Sequence, residues 1–257
     1  MTRKMAPMTA AASRVGAVAQ RVLRQLIRDR RFLALSLAAP LVIIYLLKVF
    51  LDTFGTPLMD ATPFAIPIGA FIVHFITYVL CAIVLVRERT AQTLQRMFVN
   101  GYRQAEIISG YVLAYSALAT VQSVLVLWEL SALFHLAYGA RTLLSIYLVV
   151  WLLAVISIAL GILISNFART EGQVFPFIPL VILPSVFLSG VIISVEQLPK
   201  WAQWLSRAIP LYYANQVLQK VVKPGGSVTA EWGGIGRLIV YGLAVLALAT
   251  LTLRETD

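Results

Sequence analysis

The chain has 257 residues, 60% of them hydrophobic and 12% charged, with a mean hydropathy of +0.86. That balance excludes an ordinary soluble domain, which is about half apolar and about a quarter charged. The formal net charge of +10 would suit a nucleic-acid partner, but its distribution along the chain points to a membrane surface, and no nucleic acid is expected.

Residues 14–31, RVGAVAQRVLRQLIRDRR, carry apolar side chains at Val15, Val18, Val22, Leu23, Leu26 and Ile27 with arginines between them. The spacing predicts an amphipathic helix along one leaflet, its stripe in the acyl boundary and its guanidinium groups among anionic headgroups of membrane lipids. A hydrocarbon core about 30 Å thick takes roughly 20 apolar residues per helical span. By that measure six spans follow, at about 32–51, 64–86, 107–133, 142–166, 174–194 and 235–253. The expected architecture is therefore a single all-α membrane domain over 1–257, with a basic segment at 1–31 and the six spans within 32–253. The first apolar run, starting at Phe32, reads as a signal anchor rather than a cleaved leader. Of the 21 Lys and Arg residues, 14 fall in segments on one side of this topology and seven on the other. The positive-inside bias then places both termini and the loop at 87–106 in the cytoplasm of a plasma-membrane protein.

The second run contains Cys81, the lone cysteine, so no intrachain disulfide forms, and it reads as a small apolar side chain. It also contains His74 near mid-span, which is either a neutral imidazole hydrogen-bonded between helices or a group facing a passage. After it comes VRERTAQTLQRMFVNGYRQAEIISGY, residues 86–111, a charged break between two apolar runs. Leu94, Met97 and Phe98 form a modest apolar stripe there, and Asn100-Gly101 signals a turn. The pattern predicts a short cytoplasmic helix, a turn, and a helix returning to the membrane at Ile107. A soluble partner that pushes on a membrane domain would need such a handle.

In the third run Ser116, Thr120 and Ser123 share a face beside Gln122, suited to interhelical hydrogen bonds or substrate contact. Glu129 lies in the outer part of that span, facing a cavity or snorkelling. The fifth run, VFPFIPLVILPSVFLSGVIIS, holds Pro176, Pro179 and Pro184 and must bend or break. Broken helices at membrane depth survive where protein or a water-filled cavity satisfies the freed carbonyls. His74, Gln122, Glu129, Pro179 and Pro184 are accordingly the candidate translocation path. Residues 195–221 are too polar to span and read as a short amphipathic or re-entrant helix pair in the outer interface, with Trp201 and Trp204 at headgroup level.

The known recipes for catalysis are missing. The two histidines, His74 and His135, have no metal-ligand spacing, and no G-x-x-x-x-G-K-[ST] occurs, so these residues supply no P-loop for ATP. Catalytic, cofactor and metal residues are expected to be none.

The 86–111 stretch resembles the cytoplasmic segment of ABC-2 type transporter permeases. Glu88, Arg89, Thr93, Leu94, Glu106 and Gly110 match that segment, while Thr90, Gln92, Gly101 and Tyr111 stand where the family has acid, glycine, proline and lysine. Residues 187–219 are similar to the family's fifth-span and outer re-entrant signature, with Ser189-Gly190, Glu196, Leu198-Pro199, Trp201, Pro210 and Tyr213 in place. The resemblance covers essentially the whole chain and leans towards the daunorubicin-resistance type of drug exporter. It implies a permease subunit exporting a hydrophobic or amphiphilic compound, paired with a second permease copy or homologue. A separate nucleotide-binding ATPase subunit would carry ATP and Mg. That subunit would dock on the N-terminal helix and on a coupling helix at about 91–101, with Glu88, Arg89, Thr93, Leu94, Met97, Phe98 and Gly101 as its residues. Gly190, Glu196, Pro199, Trp201 and Pro210 would shape the outer re-entrant segment. Two other classes fit the composition: a scaffold or sensor whose basic helix recruits a cytoplasmic protein, and a lipid-modifying membrane enzyme using His74 or Glu129.

Overall fold

A computed structural model describes residues 7–54, 62–223, 226 and 228–253. Among the described residues every regular element is helical and there is no strand. Helix α1 (Pro7–Arg28) leads into α2 (Arg30–Phe54) across Asp29, whose carboxylate accepts the Phe32 backbone N–H at 3.0 Å and so caps α2. Then come α3 (Thr62–Thr90), the short α4 (Thr93–Val99), α5 (Gln104–Leu133) and α6 (Ala140–Ser165). The last part of the chain forms α7 (Glu171–Val174), α8 (Phe177–Leu188), α9 (Lys200–Ser206), α10 (Pro210–Val221) and α11 (Trp232–Thr252).

Six stretches are long and apolar enough to cross a membrane: α2, α3, α5, α6, α7 with α8, and α11. The chain is a multi-pass membrane protein. Side-chain bonds show which termini share an end of the bundle. At the first end, Gln104 Nε2 donates to Leu253 O at 2.6 Å and Asn166 Nδ2 to Ala249 O at 2.8 Å, tying the starts and ends of α5, α6 and α11. At the far end, Tyr241 Oη donates to Ala208 O at 2.7 Å, tying α11 to the turn between α9 and α10, and Lys220 at the end of α10 pairs with Glu231 just before α11 at 2.9 Å.

The interior is built from α3, α5 and α6, around the fully buried Tyr78, Ile107, Ile108, Leu153, Ile158 and Ile162. Helices α3 and α6 meet at Gly161, where an added Cβ would lie 2.7 Å from Tyr78 O and 2.9 Å from Ala82 N. Only a residue without a side chain lets two backbones approach so closely, as small residues do at membrane helix crossings.

Two expectations change. Most of the α1 stripe does not lie in the acyl boundary: Val18, Val22 and Leu26 are buried in the chain's own core, leaving only Leu23 and Ile27 exposed along its edge. Gly110 on α5 makes this possible, since a Cβ there would sit 2.6 Å from Val18 Cβ. Protein packing recovers dispersion contacts that lipid would supply less tightly. The fifth span also ends at Leu188 rather than near residue 194, because Gly190 takes a φ of 83° and turns the chain. Its break falls between α7 and α8, at Pro176. Pro179 sits in the first turn of α8, where an N–H would be unpaired anyway, and Pro184 is carried inside the helix.

Candidate functional site

At the first end, α4 hangs between α3 and α5 with its position fixed by α1. Gln92 enters it in the left-handed region at φ 55°, and Gly101 leaves it at φ 77°. A glutamine held there is strained by about 1 kcal/mol, while glycine adopts the conformation freely. Leu94 and Met97 are buried against the rest of the chain, Thr93 and Phe98 are half-buried, and Val99 is 89% exposed. The apolar stripe read from the sequence therefore fastens α4 to its own protein. The surface it offers outward is Val99 and the polar positions beside it.

Arginines from α1 clamp this unit. Arg21 Nη2 reaches Glu88 Oε2 at 2.7 Å, with Glu88 only 5% exposed, and Arg21 Nη1 lies 3.5 Å from Met97 Sδ. Burial is the largest single influence and opposes the charge on Arg21, but the hydrogen bonds and charge interactions of Glu88 and Tyr111 together outweigh it and lift the guanidinium pKa above its ordinary value. Arg14 Nη1 donates to Gly101 O at 2.8 Å and stands 3.6 Å from Glu106 Oε2. Glu106 also accepts the Arg103 backbone N–H at 2.9 Å, capping the start of α5. On the other side, Arg89 Nη1 donates to Ser165 O and Ala168 O at 3.1 and 2.5 Å, joining α3 to the end of α6. Arg87 grips Glu171 with two nitrogens, at 3.0 and 3.4 Å. These bonds join α4 and the turn after it to α1 and to the start of α5, and they join the end of α3 to the end of α6 and to α7.

The residues read as a translocation path lie on α3, α5 and α8. His74 is fully buried, with Nδ1 2.7 Å from Ser157 Oγ on α6 and Nε2 3.3 Å from Ser185 Oγ on α8. It stands as an interhelical hydrogen-bonding group. Gln122 accepts from Thr77 Oγ1 at 3.0 Å and donates to Ser36 O at 3.4 Å, joining α5 to α3 and α2. Glu129 is half-buried near the far end of α5, with Oε2 lacking a hydrogen-bond partner among the described residues. Pro179 is exposed and Pro184 half-buried on α8.

At the far end, α9 and α10 follow the turn at Gly190. Asn215 Nδ2 on α10 donates to Ser189 O at 3.1 Å and Gln219 Nε2 to Gly190 O at 3.3 Å, stitching α10 to the end of α8. Pro210 opens α10 and is buried; Glu196, Pro199 and Trp201 are exposed, Trp201 by 69%. Helix α10 packs seven buried residues into the bundle, whereas α9 stays at its surface.

No local pattern marks Arg14, Arg21, Ser157 or Ser185 as partners, because the contacts bridge 67 to 111 residues of chain. The basic face of α1 was the only available signal.

The geometry agrees with comparison to known proteins. The ABC-2 type transporter family profile matches residues 13–222. The chain belongs to the ABC-2 type transporter family. This ABC-2 protein is 25% identical over 189 residues to a probable multidrug ABC transporter permease of Escherichia coli, covering 72% of the chain and 50% of that protein. It is 26% identical over 159 residues to a linearmycin resistance permease protein of Bacillus subtilis, covering 62% of the chain and 41% of that protein. ABC transporter G family member 20 of Dictyostelium discoideum is 24% identical over 180 residues, covering 69% and 24%. The ABC-2 chain thus spans half or less of the length of these relatives.

Proposed function

We propose that this ABC-2 protein is the membrane subunit of an ATP-driven exporter of a hydrophobic or amphiphilic compound. The reading rests on one observation above the others: α4 is a short helix locked by its buried side to the ends of α1, α3 and α5, with Val99 89% exposed on the opposite side. A separate ATPase subunit, holding ATP and Mg, docks on that outward face of α4. The strong basic bias of the first end supports a cytoplasmic setting for α1, α4 and both termini in the plasma membrane. The names of the E. coli and B. subtilis relatives, multidrug and linearmycin resistance, support export of a drug-like or lipid-like compound. A second permease copy or homologue completes the pathway, since His74 and Gln122 are committed to bonds inside this one chain.

Purification from native membranes in mild detergent is expected to bring down a P-loop ATPase in fixed ratio. Val99→Asp should lower its retention at least tenfold, as loss of a central apolar contact does at protein interfaces, with the permease itself unchanged in stability. Undiminished ATPase retention by Val99→Asp would overturn the docking face. Absence of any ATPase from wild-type protein would overturn the function.

A further inference from the structure

The arginines of α1, of the first turn of α2 and of the last turn of α3 divide into two groups. Arg14, Arg21, Arg87 and Arg89 are held by partners within the chain. Arg24, Arg28, Arg30 and Arg31 are exposed, and none of their guanidinium groups has an ion pair or hydrogen bond among the described residues. All four sit at the elbow between α1 and α2, the last turns of one helix and the first of the next. Arg21, Arg24, Gln25, Arg28 and Asp29 line a shallow open depression there. Asp29 is the one acidic residue in the first 51, and its Oδ1 is already taken by the Phe32 N–H.

Two further features fix the kind of partner. The elbow lies one turn before the apolar run of α2 begins at Phe32, which puts it at the level of lipid phosphates. On α1, Leu23 and Ile27 are 37% and 61% exposed and form a row next to Arg24 and Arg28. The edge is therefore cationic with an apolar border, the profile of an interfacial lipid contact. The first turn of α2 adds its helix-dipole field, also favourable to an anion.

The geometry points to a binding surface for the headgroup of an anionic phospholipid at the α1–α2 elbow, with the phosphate against Arg24, Arg28, Arg30 and Arg31 and the acyl chains beside Leu23 and Ile27. The lipid steadies the joint between α1, which clamps α4, and α2, the first span. The inference depends on the level of the elbow in the membrane and is independent of ATPase docking.

The test uses the full chain in detergent, stripped of native lipid and offered equal phosphatidylglycerol and phosphatidylcholine, with retained lipid read by native mass spectrometry. A basic residue near an anionic surface contributes about fivefold, so four predict at least a tenfold preference for phosphatidylglycerol. The variant R24Q/R28Q/R30Q/R31Q should fall to within about twofold of no preference, and the matching Lys variant should keep most of it. All four side chains are exposed, so helix content by circular dichroism should not change. Equal retention of both lipids by wild-type protein, or a preference surviving the Gln variant, overturns the site. If the Gln variant keeps its lipid preference and instead loses a co-purifying soluble protein, the patch faces an acidic protein surface and the lipid site is refuted.

Discussion

Helices α6 and α2 are both apolar enough to cross a bilayer, yet 61% of the apolar window of α6 is buried inside the chain against 17% for α2. The α7–α8 span matches α2, also at 17%. The difference lies in side-chain size and polarity along one face. Helix α6 turns Ala154, Ser157, Ala159 and Gly161 inward, and Ser157 meets His74. Helices α2 and α8 present Leu35, Val42, Leu46, Leu180, Leu183 and Phe187 outward. In a membrane, lipid is as apolar as leucine, so hydrophobicity selects a span without giving it neighbours; close approach and hydrogen bonding do that.

The largest effect should come from Gly161→Leu. Its side chain meets backbone atoms of Tyr78 and Ala82, which cannot move aside singly, so overpacking should cost about 3 kcal/mol or more. Leu183→Ala on the outward face of α8 changes the side chain almost as much yet should change stability by no more than about 0.5 kcal/mol. Thermal unfolding of both variants in one detergent checks the pair. Equal losses would break the contrast, and a large loss at Leu183 alone would mean a second copy covers α8.

Arg21→Ala sharpens the contrast by asking whether a polar clamp does for α1 what Gly161 does for α6. It leaves the Glu88 carboxyl, 5% exposed, without its guanidinium partner. Solvent reaches Arg21, which screens the pair, so the expected loss is about 1–2 kcal/mol. Adding Glu88→Gln should recover part of it, and trypsin sensitivity of α1 should rise and fall in step. No change in sensitivity would mean apolar packing alone holds α1.

The smallest effect has the opposite sign. Gln92→Gly relieves a left-handed backbone at φ 55°, less the entropy glycine adds to the unfolded chain, for a gain of about 0.5 kcal/mol. Unfolding temperature measured in parallel with wild type should rise slightly. A fall would mean that the Gln92 side chain has a use in the first end that outweighs its strain.

Much of the fold was legible early. The observed spans begin and end within four residues of those read from hydropathy, except the fifth, which stops at Leu188. The charged 86–111 break did resolve into α3, a short helix and α5. The candidate site was legible in outline only. Leu94 and Met97 were visible as a stripe, but periodicity cannot distinguish a stripe that binds a partner from one that binds its own chain. His74, Gln122, Glu129, Pro179 and Pro184 share polarity or backbone breakage, and nothing along the chain shows that they point to different neighbours.

What the sequence determined by itself was the number of spans, the basic end, the broken fifth helix and the family. Each is a local property: apolar run length against bilayer thickness, charge count, and proline's missing donor. What only tertiary structure decided was which helices are interior, that the Val18 side of α1 lies against Gly110 on α5, and that Arg21 reaches Glu88 across 67 residues. Those outcomes depend on backbone approach and on pairing of buried polar groups between distant segments, and neither leaves a periodic trace in one chain.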